Sequence, residues 1–95
     1  MAGNHDWAAI GRLSTVDFNP DAAAAAEWTA QSLTPENRRY LEDLPLTVER
    51  SDFTMVHGTL RNPIWQYLVS SADADETFAL LKSSYCLVGH THVPM

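Results

Sequence analysis

Two short apolar runs constrain this chain most, because each stops at a histidine beside a glycine. Phe53-Thr54-Met55-Val56 leads into His57-Gly58, and Tyr85-Cys86-Leu87-Val88 leads into Gly89-His90-Thr91-His92. Short runs rich in β-branched and aromatic residues, bounded by turn residues, read as strands. The second run is apolar throughout and is expected to be a buried strand. In extended backbone, residues i and i+2 share a side, so His90 and His92 are expected to face one way and Thr91 the other. Gly89 supplies the freedom for a sharp turn where that strand ends. Paired imidazoles are common metal ligands. By itself, a His-x-His pair is more often an ordinary surface pair.

The rest of the chain supplies the elements around these runs. Leu46-Thr47-Val48-Glu49-Arg50 alternates apolar and polar residues, Ser51-Asp52 suits a turn, and residues 46–56 are expected to form an antiparallel hairpin. Upstream, Asn19 can cap a helix, Pro20 fits its first position and Asp21 complements its dipole. The run Ala22–Ala26 that follows predicts a helix packed closely on a sheet. Thr34, Pro35 and Glu36 begin a second helix, on which Arg38 and Arg39 read as a solvated face, and Pro45 ends the region. Residues 7–18 predict a helical turn and a loop, and residues 59–70 a structured loop. Asp73 and Glu76 have capping-box spacing, with Ala74, Phe78 and Leu81 on one face of the helix leading to the run at 85–88.

Size and charge exclude several roles. With 95 residues, 45% of them hydrophobic, the chain is expected to form one small domain with a thin core for a layered α/β fold. Twelve acidic against six basic residues give a net charge of -6, which argues against non-specific nucleic-acid binding and docking on anionic lipid. The single cysteine, Cys86, allows no internal disulfide and lies in an apolar run, where it is expected to be core rather than nucleophile. The first residues carry neither a basic nor an apolar leader segment, and no run approaches a membrane span, so a cytoplasmic location is expected. No internal repeat of fixed period is present.

All four histidines sit at glycine-marked segments, Gly3-Asn4-His5-Asp6 being the third, and it reads as a polar loop. Two of these segments directly follow apolar strands, so both loops are expected at one edge of a sheet. Gly-Asn-His-Asp, a strand ending in Val-His-Gly, and Gly-His-Thr-His, in that order, resemble the calcineurin-like metallophosphoesterase superfamily. The intervening Asn19-Pro20-Asp21 before an Ala-rich helix, and Arg61-Asn62-Pro63-Ile64-Trp65 after the His-Gly, are similar to small bacterial members. The resemblance spans essentially the whole chain. It implies an α/β fold with a layered β core flanked by helices.

The resemblance also implies a site for two divalent metal ions (manganese, iron, zinc or nickel). Asn4 (through its side-chain oxygen), His57 and His90 would bind one, and His92 the other. His5 would not be a ligand; it would lie near the leaving-group oxygen as a proton donor or transition-state stabiliser. The implied reaction is direct hydrolysis of a phosphomonoester or phosphodiester, or of a phosphoprotein, by water activated between the metals. The family's Asp-x-His and Gly-Asp-x-x-Asp motifs are absent, and Asn4, His57, His90 and His92 are all neutral donors where such ions normally take carboxylates too. Residues 1–95 are therefore expected to be a partial domain lacking N-terminal strands and motifs and C-terminal strands, with little or no activity alone. The alternative is a non-catalytic module that binds one metal or a partner. Asp6 reads as a structural or ligand-orienting residue. Arg61 is open between substrate phosphate and solvent, and Trp7, Trp65 and Tyr67 between a substrate pocket and packing.

Overall fold

A computed structural model describes residues 1–94. It contains, in order, α1 (Asn4–Ala9), α2 (Pro20–Ser32), α3 (Pro35–Glu42), β1 (Thr47–Arg50), β2 (Phe53–Val56), α4 (Ser71–Leu80) and β3 (Tyr85–Val88). The chain is α/β, and divides into a helical unit, Asn4–Leu44, and a sheet unit made of Met1–Gly3 with the chain from Pro45 onward. No helix among the described residues is long and apolar enough to cross a membrane.

In the helical unit, α1 packs against α2 and α3. Gly3-Asn4-His5-Asp6 is not a loop: Asn4 begins α1, and Asp6 lies in its first turn where a carboxylate favours the helix. Gly11, at φ +80°, turns the chain away just beyond α1, and the Arg12 N–H returns to the Trp7 carbonyl at 2.9 Å. The expected caps of the next two helices form. Asn19 Oδ1 accepts from the Ala22 N–H at 2.8 Å, and Thr34 Oγ1 from the Asn37 N–H at 3.1 Å. The neighbour of the alanine-rich α2 within this unit is α1, and Ala26 is its buried residue. Arg38 is more than a solvated charge. Its guanidinium donates to the Ile10 carbonyl at 3.0 Å and pairs with Glu42, tying α3 to the end of α1.

The sheet unit has strand order β1-β2-β3. β1 and β2 form the expected antiparallel hairpin, with Arg50 opposite Phe53 and Ser51 at φ 53° in the turn. β2 and β3 run parallel, Val56 opposite Val88, so a crossover through α4 is required. The central strand carries the core: Val56 and Thr54 are buried. β3 is a sheet edge, and it is not the buried strand its composition predicts. Tyr85, Leu87 and Val88 are 57%, 49% and 41% exposed. An edge strand has a paired neighbour on one side only, and its apolar side chains here line an open groove of about 460 Å³ together with Phe53 and Phe78. α4 is capped by a reciprocal Ser70–Asp73 box, three residues earlier than the expected Asp73–Glu76 pair. Glu76 instead meets the Arg61 guanidinium at 2.5 Å on the surface.

Candidate metal centre

The parallel register decides what happens to the histidines. Because Val56 lies opposite Val88, the residues that follow leave the sheet at the same end. The ladder continues one step further, the Gly89 N–H donating to the His57 carbonyl at 2.9 Å. The next side chain, His90, then meets His57: His57 Nε2 and His90 Nδ1 are 3.0 Å apart, with ring centroids at 4.7 Å. The expectation of both strand-end loops at one sheet edge holds.

The alternation expected within Gly89-His90-Thr91-His92 does not. His90 and His92 have φ of 69° and 57°, left-handed rather than extended, while Gly89 does not take a positive φ. The Thr91 N–H returns to the Gly89 carbonyl at 2.8 Å, which puts His90 at the centre of a three-residue turn. A non-glycine residue in that region stores on the order of 1–3 kcal/mol of backbone strain. The outcome separates the two rings. His90 is buried at 9% exposure, and His92 is exposed.

The segment after β2 forms the wall against which His90 rests. Gly58 is buried under it: a Cβ there would lie 2.7 Å from the Asn62 carbonyl oxygen and 2.9 Å from that of Gln66, so only glycine fits. The Gly58 N–H donates to the Pro63 carbonyl at 2.7 Å, and Thr59 Oγ1 donates to Gln66 Oε1 at 2.6 Å. The Trp65 N–H donates to Asn62 Oδ1 at 3.1 Å. This knot brings the Trp65 carbonyl to 3.1 Å from His90 Nε2 and stacks the Tyr67 ring on His90 at 4.0 Å and 11°. The expected structured loop is thus present. It contributes two aromatics to His90, the Trp65 indole tilted against it at 5.7 Å and the stacked Tyr67, which is 49% exposed.

Two nitrogens bound to one ion at about 2.0–2.1 Å lie about 2.9–3.4 Å apart for octahedral or tetrahedral angles. The His57–His90 separation of 3.0 Å fits two positions of such a shell. Among the described residues no cluster of three or more His, Cys, Asp or Glu side chains forms that could hold a metal. The sheet unit brings two imidazole nitrogens together at one strand end. Asn4 and His5 belong to the helical unit. There Asn4 is buried at 6% exposure, whereas His5 is exposed and stacks on Phe18 at 4.9 Å. Arg61 is exposed and paired with Glu76, whose carboxylate raises its pKa above the ordinary value. Cys86 is half-buried, and burial pushes its thiol pKa up.

The roles of Gly58, Tyr67 and the Trp65 carbonyl were not predicted from sequence. The glycine adjoining His57 was a signal for the first. A backbone carbonyl leaves no mark in a sequence, and Tyr67 falls in no periodic pattern.

No protein-family model matches the chain. Over 99 aligned positions it is 32% identical to an uncharacterised protein of Methanocaldococcus jannaschii, the match covering 99% of this chain and 40% of that protein. Its structure is similar to that of a metallophosphoesterase from Sphaerobacter thermophilus, with a TM-score of 0.80 and 49% identity over 97% of this chain and 38% of the other. A hypothetical protein from Pyrococcus horikoshii shares the fold at a TM-score of 0.76 and 18% identity, over 98% of this chain and 44% of the other. The chain spans about two fifths of the length of these relatives.

Proposed function

We propose that this chain, which is related to the calcineurin-like metallophosphoesterases over part of their length, carries the histidine side of a dinuclear phosphoesterase site. One observation carries the reading: His57 Nε2 and His90 Nδ1 stand 3.0 Å apart at the carboxyl ends of two parallel strands. In this reading His57, His90 and the Asn4 side-chain oxygen hold one divalent ion, and His92 contributes to a second. The ions, when bound, supply an activated water and electrostatic stabilisation of the phosphoryl oxygens. His5, exposed on α1, delivers a proton to the oxygen of the departing alcohol. The substrate is a phosphomonoester, a phosphodiester or a phosphoprotein, without nucleic-acid or membrane attachment. The setting is cytoplasmic, a reading supported by the single thiol.

Residues 1–95 are then part of a larger domain, whose other part brings the carboxylates that offset the charge of two cations. The absence of a third His, Cys, Asp or Glu beside the pair among the described residues favours a second reading, a module binding one ion without catalysis. Calorimetric titration with Zn²⁺ or Mn²⁺ tests the ligands. His57→Ala and His90→Ala are each expected to weaken binding on the order of 100-fold, and unchanged binding would remove the assignment. A chromogenic phosphodiester with Mn²⁺ tests the rest: the purified 95 residues are expected to show negligible turnover. Substantial turnover lost in His5→Ala would overturn that expectation.

A further inference from the structure

The surroundings of His90 determine which of its nitrogens faces the site. Its Nε2 lies 3.1 Å from the carbonyl oxygen of Trp65. A carbonyl only accepts, so Nε2 bears the proton. On a neutral ring the lone pair then sits on Nδ1, the atom 3.0 Å from His57 Nε2, and His57 donates to it in the absence of an ion. Two rings pack on this imidazole: the Trp65 indole is tilted against it at 39° with centroids 5.7 Å apart, and the Tyr67 phenol is stacked on it. Tyr67 lies nearly parallel to the imidazole, 11° from coplanar, with centroids 4.0 Å apart. Rotation of the imidazole about its Cβ–Cγ bond would drive the ring edge into the phenol. The strained turn at φ 69° aims the side chain, and the stack keeps it there.

We infer that Tyr67 is a positioning residue for His90. Acting with the Trp65 carbonyl, it locks the imidazole as the Nε2–H tautomer, so that Nδ1 is the nitrogen offered to a cation. The inference rests on the phosphoesterase reading only for the identity of the ligand; the tautomer itself follows from the protein's own contacts. Metal-binding histidines commonly donate their second ring N–H to a carbonyl or carboxylate, and loss of such support costs roughly 10–100-fold in affinity. Tyr67 is half exposed, so its replacement is expected to leave the fold intact, which the dispersion of the remaining ring signals checks.

The test combines two measurements on the whole chain. Long-range ¹H–¹⁵N correlation of the imidazoles, without metal and at a pH where histidine is neutral, reports the tautomer. Calorimetry with Zn²⁺ alone reports affinity. The unsubstituted chain is expected to show Nε2–H at His90. Tyr67→Leu is expected to give mixed tautomers and on the order of tenfold weaker Zn²⁺ binding. Tyr67→Phe, which keeps the stacked ring, is expected to match the unsubstituted chain in both. A proton on Nδ1 of His90, or Tyr67→Leu with unchanged tautomer and affinity, overturns the inference. If the tautomer depends on Tyr67 as stated and the unsubstituted chain binds no Zn²⁺, the positioning stands and the assignment of the His57–His90 pair as sufficient to hold an ion falls.

Discussion

The end of β2 and β3 and the start of α1 use the same residue types in opposite ways. At the strand ends, long-range pairing brings together two histidines 33 positions apart in sequence and buries one of them. At α1, Asn4 and His5 are neighbours in sequence, yet successive helical positions send one into the protein and leave the other exposed. Register converges side chains from distant segments; a helix diverges side chains from adjacent ones. A ligand pair is therefore built well at the ends of parallel strands. The single exposed imidazole on the short helix is the one to which the proposed function gives the departing oxygen.

That contrast can be broken most severely at Gly58. Its missing Cβ is what lets the 59–67 segment close over the strand end, so Gly58→Ala must move backbone carbonyls rather than flexible side chains. A destabilisation of roughly 1–3 kcal/mol is expected from overpacking at this position, measured by urea unfolding. The Tyr67 and His90 ring signals should shift with it, while those of His5 and Phe18 should not. Parallel changes in both sets would show that the two regions are not separately built.

A smaller effect is expected at α4, the crossover that makes β2 and β3 parallel. Ser70→Ala removes the cap and is expected to cost about 1 kcal/mol in the same assay. The pH dependence has a definite sign. The Ser70 hydroxyl, then the Val69 N–H, holds the Asp73 carboxylate below its ordinary value. A lowered folded-state pKa contributes stability that is present above the unfolded value and lost as pH falls through the folded one. Ser70→Ala should therefore flatten the loss of stability below the ordinary aspartate value of 3.8. An unchanged acid limb would place the stabilisation elsewhere.

The smallest effects are expected at the two exposed histidines. His92→Ala and His5→Ala should each change stability by less than about 0.5 kcal/mol, as surface substitutions do. In Zn²⁺ titrations of the isolated chain, both should stay within about twofold of the unsubstituted protein, because a metal held by the His57–His90 pair does not depend on them. A loss at His92 comparable with that at His90 would show that the exposed ring swings into the same ion's shell.

Much of this was legible locally. The caps at Asn19 and Thr34, the hairpin at 46–56 and the run at 85–88 depend on neighbours in sequence, so propensity and turn chemistry suffice to place them. Five readings failed: Gly3-Asn4-His5-Asp6 opens a helix rather than a loop, β3 is a sheet edge rather than a buried strand, and three side-chain placements differ where a longer-range contact, or the geometry of the turn itself, took over. Ser70 displaced Asp73 as cap because Asp73 accepts at N3 from both the Ser70 and Val69 N–H groups. Arg38 was drawn to the Ile10 carbonyl. The strand-like alternation assumed for His90 and His92 ended at Gly89, where the backbone turned left-handed.

The sequence by itself determined the types of the elements from α2 onward, the glycine-marked histidines and the family they resemble, since each is written in residue type and spacing. Only the tertiary structure decided that His57 and His90 meet, that His92 stays outside, and that Tyr67 and the Trp65 carbonyl hold His90. Those outcomes depend on which carbonyls and rings the parallel register and the loop over Gly58 bring within about 3–4 Å, a distance at which hydrogen bonding and stacking begin and which no linear pattern encodes.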